Sequence, residues 1–140
     1  MADTQAAPAG IRVFNILAGL TTLAIFLQAI SAGLFMSLRE AGKAWVGMHD
    51  IVAYIAILLA VVTAIVGIVA LRSSAKGLMW GAIVLAVLVI AQVGVGQSID
   101  QVRGLVAVHV PLAFIVFALT IWLSVRGGIV RRHLTGASAA

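Results

Sequence analysis

The sequence predicts an all-α protein, an integral membrane bundle of four antiparallel helices in up-down-up-down order. Hydrophobic residues make up 64% of the 140-residue chain, its mean hydropathy is +1.23, and charged residues make up 9%. Four apolar segments each reach the length of about 20 residues that crosses about 30 Å of hydrocarbon. Helices of soluble proteins carry a polar face, and these segments carry none. We therefore expect a membrane protein.

The apolar segments divide the chain into one domain with two short ends. We expect helices over residues 11–37, 45–71, 78–97 and 105–125. They form a transmembrane domain over residues 11–126, between a flexible leader (1–10) and a cytoplasmic tail (127–140). The connections are six or seven residues long, and such short connections make consecutive helices antiparallel neighbours.

The basic residues predict the orientation in the membrane. Six of the nine lie on the side that holds both termini and the second connection, namely Arg12, Arg72, Lys76, Arg126, Arg131 and Arg132. The positive-inside bias then predicts both termini in the cytoplasm. We expect the lipid bilayer to be the main partner and a bacterial cytoplasmic membrane to be the location. The formal charge of +5 does not indicate nucleic-acid binding, because these residues lie at helix ends.

Two histidines occupy matching positions in the two halves of the chain. His49 is the fifth residue of the second predicted helix, and His109 is the fifth residue of the fourth. Gln28 precedes His49 by 21 residues, and Gln92 precedes His109 by 17. This repeat predicts a duplicated helical hairpin whose pseudo-two-fold axis lies along the membrane normal, with the histidines across that axis.

Small residues follow both histidines at steps of three and four, which is the spacing of one helix face. From His49 these steps reach Ala53, Ala56, Ala60, Thr63 and Gly67, and from His109 they reach Ala113, Val116 and Thr120. Small residues let membrane helices approach closely, so we expect both histidines to face the interior. On the first helix this spacing selects Gly19, Thr22, Phe26, Ala29 and Gly33 as the inward face.

A pair of inward histidines on opposing helices is suited to bis-histidine ligation of haem b. The candidate metal ligands are therefore His49 and His109, and the other candidate cofactor-binding residues are Arg39, Lys43, Arg103, Gln28 and Gln92. The cations would pair with haem propionates. The glutamine amides would either contact the ligand or form hydrogen bonds between helices. A zinc site usually needs four ligands, and two histidines fall short of that number. The alternative to a ligand role is that a histidine this near the membrane surface contacts lipid headgroups or water.

About residues 12–126 share one layout. A helical hairpin carries a histidine near the outer end of its second helix, and the same arrangement is then repeated. It resembles the four-helix haem-binding unit of the haem A synthase family and small bacterial four-helix membrane proteins with the same Gln…His…Gln…His order. The resemblance implies a b-type haem held by His49 and His109. Haem A synthases have two such bundles and further histidines, so only haem binding is carried over, and no catalytic residue is predicted.

We therefore expect a small haem-binding, b-type cytochrome-like membrane protein that takes part in electron transfer or haem handling. The site would lie near the outer face, and the candidate partners are a membrane redox complex and a second copy of the chain. The alternative is a non-enzymatic accessory subunit of a larger membrane complex, which the apolar helix surfaces also fit. A transporter or channel is not favoured, because few polar groups lie near the middle of the segments.

Overall fold

The computed structural model describes residues 8–136, apart from the side chains of Arg39, Ala41, Arg103 and Gly136. Over this range the fold is all-α and contains no strand. Its four α-helices are α1 (Ala9–Ser37), α2 (Lys43–Leu71), α3 (Lys76–Gln97) and α4 (Val106–Gly136). Short 3-10 turns, Arg39–Gly42 and Arg103–Leu105, precede α2 and α4.

All four helices are long and apolar enough to cross a membrane. Large apolar side chains point outwards from every helix, and Ile16, Leu58, Val69, Val87 and Phe114 are each more than 60% exposed. Soluble bundles expose few such side chains in contiguous patches. The exposed surface of the described helices is therefore rich in large apolar side chains.

The helices form a closed ring. Each helix packs against the next one in the chain, and α1 also packs against α4, so α2 and α4 are diagonal partners. The core is built largely from alanine, with Ala18, Ala56, Ala60 and Ala82 almost fully buried. Small side chains bring the helix backbones close together, which supplies the packing that membrane helices depend on.

One glycine lies at each of the four helix interfaces. A Cβ atom would meet Ala70 at Gly10, Met79 at Gly67, Trp122 and Leu123 at Gly81, and Asn15 at Gly127. These contacts link α1 to α2, α2 to α3, α3 to α4, and α4 to α1. The four glycines therefore allow each helix pair to approach closely in the part of the bundle away from the histidines.

The inward face of α2 is the predicted one, because Ala53, Ala56, Ala60, Thr63 and Gly67 are all buried. On α4, Val116 and Thr120 are buried as expected.

The predicted inward face of α1 is wrong. Phe26, Gly19 and Gly33 are exposed, and the buried residues are Ile11, Phe14, Ala18, Thr21, Ala24 and Ser31. The two faces are neighbours on the helix surface, and both contain small residues, so residue size could not separate them. Packing against both α2 and α4 selects the face that carries Phe14 and Ser31.

The predicted end of the fourth helix, at residue 125, is also wrong, because α4 continues to Gly136. The glycine pair at 127 and 128 does not end the helix. Gly127 is buried, and its carbonyl oxygen accepts a hydrogen bond of 3.0 Å from the Asn15 side chain. Val130 packs against the core, so tertiary contacts continue past the apolar segment. The rest of the predicted tail, 137–140, and most of the leader, 1–7, lie outside the described residues.

Candidate functional site

The two histidines are held by matching interhelical hydrogen bonds. Gln28 Nε2 in α1 donates to the backbone oxygen of His49 in α2 at 2.7 Å. Gln92 Nε2 in α3 donates to the backbone oxygen of His109 in α4 at 3.0 Å. We call these two bonds the glutamine clasps. Each clasp joins the two helices of one predicted hairpin at equivalent positions, which is the relationship expected of a duplication.

Both clasps lie at the same end of the bundle, which we call the histidine end. The side chain of Gln97, five residues after Gln92, donates to the Tyr54 hydroxyl, five residues after His49, at 2.8 Å. The rings of Phe26 and Phe117 stack between α1 and α4 with centroids 6.3 Å apart. The structure therefore brings the two predicted ligands to one end of diagonal helices.

His49 is oriented through one ring nitrogen only. Its Nδ1 lies 3.2 Å from the backbone oxygen of Gln28 and 3.1 Å from the Ser31 hydroxyl. A carbonyl oxygen only accepts, so Nδ1 carries the proton and Nε2 carries the lone pair. The Phe35 ring packs edge-on against the imidazole at 5.5 Å. The described residues provide no hydrogen-bond partner for the Nε2 of His49, which is in a tautomer that a metal-binding histidine can adopt.

His109 has a different environment. Gln92 Nε2 donates to the ring Nε2 of His109 at 3.2 Å as well as to its backbone oxygen. The ring Nε2 therefore accepts, and Nδ1 carries the proton. Nδ1 is buried and has no hydrogen-bond partner. Gly96 makes room for this ring, because a Cβ atom there would lie 2.8 Å from His109 Cε1.

Three buried polar atoms at the histidine end lack hydrogen-bond partners: Gln28 Oε1, Gln92 Oε1 and His109 Nδ1. A buried polar atom without a partner costs about 1–3 kcal/mol. Such atoms in native proteins are rare and call for a reason, one of which is an absent ligand or water. The histidine end therefore contains buried polar atoms that the hydrogen bonds of the described residues do not satisfy.

The predicted cationic residues are not placed beside the histidines by described contacts. Lys43 is exposed and forms an ion pair with Glu40, one turn away. The side chains of Arg39 and Arg103 lie outside the described part of the chain. A propionate-pairing role for these three residues stays a prediction.

Sequence reasoning missed Ser31 and Gly96. Asp50, next to His49, is exposed, and Ser31 together with the Gln28 carbonyl contacts the Nδ1 of His49. Ser31 lies three residues after Gln28, on the same face of α1, and this spacing was the signal that could have found it. Gly96 could not be found in this way, because the chain alone does not show which ring lies over it.

Two further polar pairs lie along α1. The hydroxyl groups of Thr21 and Thr63 are 3.4 Å apart, and those of Thr22 and Ser124 are 3.0 Å apart. Most of these hydroxyls also donate to the carbonyl of the preceding turn, which is the usual way a membrane helix satisfies them. We read them as contacts that hold α1 against α2 and α4, not as part of the histidine site.

The histidine end offers two imidazoles as candidate metal ligands. No group of three or more His, Cys, Asp or Glu side chains that could hold a metal ion is found among the described residues. Bis-histidine haem ligation needs two imidazoles, and the diagonal helices supply two. Cavities of about 200 and 160 Å³ lie elsewhere, and neither is lined by a histidine. A haem would therefore have to part the helices at this end.

The buried, unpartnered polar atoms are consistent with a site that is completed by a ligand. Comparison of the chain with protein-family models, curated proteins and solved structures found no match. The likeness to the haem A synthase family thus stands only on the layout of a hairpin with a histidine near the outer end of its second helix, followed by a repeat.

Proposed function

We propose that the chain is an integral membrane protein that binds one b-type haem through His49 and His109. The observation that carries the proposal is the pair of glutamine clasps, which hold two histidines at one end of diagonal helices in an apolar bundle. Ionisable side chains inside a membrane bundle cost free energy, and those that occur there are usually functional. The free Nε2 of His49 supplies one ligand atom in the required tautomer.

We infer an antiparallel topology for this membrane protein. Gly10 packs beside Ala70, the Thr21 hydroxyl contacts that of Thr63, and Gln28 binds His49, so rising numbers in α1 meet falling numbers in α2. The contacts from α4 to α1 follow the same rule, because Gly127 lies beside Asn15 and Phe117 stacks on Phe26. With the positive-inside bias, this topology puts the termini in the cytoplasm and the histidines near the outer face.

A haem in this position would supply one-electron chemistry. A few residues of the protein would orient the ligand histidine and set its basicity. The Gln28 carbonyl and the Ser31 hydroxyl hold His49 Nδ1–H, which orients the ring and raises the basicity of Nε2. Among the described residues, the two imidazoles contact glutamine amides, a serine hydroxyl and an aromatic ring. Electron transfer or haem handling therefore fits better than catalysis.

The test is a visible absorption spectrum of the full-length protein purified in detergent from haem-replete cells, oxidised and reduced. We expect a Soret band in the wild type that is weakened in both His49→Ala and His109→Ala. His133→Ala is the matched control, because His133 is exposed near the end of α4, and its spectrum should match the wild type. A colourless wild-type preparation would overturn the proposal. If that preparation retained a second membrane protein at fixed stoichiometry, an accessory subunit would be the better reading.

A further inference from the structure

We propose that a cavity at the end of the bundle opposite the histidines binds the phosphate headgroup of an anionic phospholipid, and that Arg126 is the residue that pairs with the phosphate. This end is formed by the start of α1, the connection between α2 and α3, and the last part of α4, and we call it the basic end. The proposal rests on the membrane location and the orientation proposed above, and it does not depend on haem.

The cavity has a volume of about 160 Å³ and lies between α4 and the start of α3. Its lining residues on α4 are Trp122, Arg126 and Val130, which are four residues apart and therefore share one face of that helix. The other lining residues come from the connection and the first turn of α3, namely Ser74, Ala75, Gly77 and Leu78. Pockets that enclose a small molecule measure roughly 300–1,000 Å³, so this cavity would admit a headgroup and leave the acyl chains outside.

The side chains of the cavity are those expected where hydrocarbon gives way to headgroups. Trp122 packs against α3, because a Cβ atom at Gly81 would lie 2.8 Å from its ring. Arg126 lies about 6 Å further along α4, at a rise of about 1.5 Å per residue. Tryptophan is enriched at the membrane interface, and the cytoplasmic leaflet carries anionic lipids that attract basic residues. The cavity thus offers an indole on the apolar side and a guanidinium on the headgroup side.

The guanidinium of Arg126 is available to an anion. Arg126 is exposed, and no ion pair of this residue is found among the described residues. Six of the nine basic residues of the chain lie at the basic end, whereas the acidic residues of the described range lie towards the histidine end, namely Glu40, Asp50 and Asp100. A guanidinium binds phosphate through two parallel hydrogen bonds, and the Ser74 hydroxyl lines the same cavity as a further donor.

An exposed apolar face next to the cavity favours a lipid over a soluble phosphate compound. Lys76 begins α3 between two residues that line the cavity, and steps of four and three from it reach Trp80, Val84 and Val87. These three side chains are large and exposed. A cation followed by an apolar face matches the order of headgroup and acyl chain in a phospholipid, and a soluble phosphate compound would leave this face uncovered.

The experiment is a thermal-unfolding titration of the full-length protein in a neutral detergent with phosphatidylglycerol, which is anionic. Phosphatidylcholine with the same acyl chains is the zwitterionic comparison. Binding to the folded state raises the melting temperature, so we expect a saturable rise with phosphatidylglycerol and none with phosphatidylcholine. Arg126→Gln removes a charge-assisted hydrogen bond and should raise the half-saturating lipid concentration about tenfold. Arg126→Lys keeps the charge without the planar fork and should fall between the two.

Arg131→Gln is the matched control. It removes the same charge from the same helix end, and Arg131 is exposed but does not line the cavity. Five residues after Arg126, it points about 140° away around the helix. At an ionic strength of about 0.15 M, charges further apart than about 8 Å are largely screened, so the half-saturating concentration should change by no more than about twofold. If Arg126→Gln does not accumulate, Arg126→Lys carries the comparison with this control.

The outcomes separate the lipid site from its alternatives. Equal binding of the two lipids overturns the inference, and so do equal losses in Arg126→Gln and Arg131→Gln, which would show that diffuse charge attracts the lipid. Inorganic phosphate that raises the melting temperature as much, with the same dependence on Arg126, would identify a soluble phosphate as the ligand and overturn the lipid assignment. A colourless wild type that binds phosphatidylglycerol through Arg126 overturns the haem site alone, and a haem-containing wild type that does not distinguish the lipids overturns this inference alone.

Discussion

The side-chain amide of Gln28 donates to the backbone oxygen of His49 at 2.7 Å, across the interface between α1 and α2. The bond fixes the axial position of α1 relative to α2, because one amide of α1 meets one carbonyl of α2. Gln92 makes the same bond to His109 at 3.0 Å. Two hairpins with the same clasp, joined in a ring, place both imidazoles at one end of the bundle.

Loss of a clasp should destabilise the bundle modestly. Gln28→Leu removes one interhelical hydrogen bond and also the unpartnered Oε1, so we expect the free energy of unfolding in detergent to fall by about 1 kcal/mol or less. Gln97→Leu is the control, because its bond to Tyr54 is exposed, and it should change the free energy by no more than about 0.5 kcal/mol. A larger loss in Gln97→Leu than in Gln28→Leu would show that the clasp does not hold the hairpin.

The contact between Gly96 and His109 gives a sharper test. In Gly96→Ala the new Cβ would lie 2.8 Å from His109 Cε1, so the ring must move, and we expect a loss of about 1–3 kcal/mol. Gly94→Ala, two residues earlier, adds a Cβ with nothing within 4 Å and should be neutral or stabilising by up to about 1 kcal/mol. Thermal unfolding in detergent measures both. Equal melting temperatures would contradict the position of the His109 ring.

The extension of α4 past residue 125 depends on Gly127. In Gly127→Ala the methyl group would clash with the Asn15 side chain, break its bond to the Gly127 oxygen and push α4 away from α1. We expect a lower melting temperature. Gly128→Ala meets nothing within 4 Å and should not lower it. If both alanine variants behave alike, α4 does not pack against α1 at this point.

Orientation in the membrane is testable because the chain has no cysteine. We expect Gln101→Cys, in the connection before α4, to react with a membrane-impermeant maleimide added to intact cells. Ser73→Cys, in the connection between α2 and α3, should react only after the membrane is opened. Both positions are exposed, and the cysteine-free wild type gives the background. The reverse pattern would place the histidines on the cytoplasmic side.

Much of the site follows from spacing in the chain. The positions of Gln28, His49, Gln92 and His109 predicted a repeat, and the small-residue spacing after His49 predicted the buried face of α2. The buried residues of α2 confirm the second prediction, because it depends on periodicity within one helix, which the sequence contains. The duplicated hairpin stays a prediction. The face of α1 was wrong, because α1 packs against two neighbours, and its rotation depends on both. The end of α4 was wrong for a related reason, since the sequence does not show that Gly127 packs against α1.

The sequence by itself determined four long apolar helices, their short connections and two histidines at equal depth, because hydropathy and periodicity are local properties of the chain. Only the tertiary structure decided that the halves differ. Ser31 and the Gln28 carbonyl hold the Nδ1 of His49, while Gln92 reaches the Nε2 of His109 and leaves its Nδ1 alone. Which ring nitrogen is engaged depends on the rotation and height of neighbouring helices to within about an ångström, and a hydrogen bond exists only at that scale.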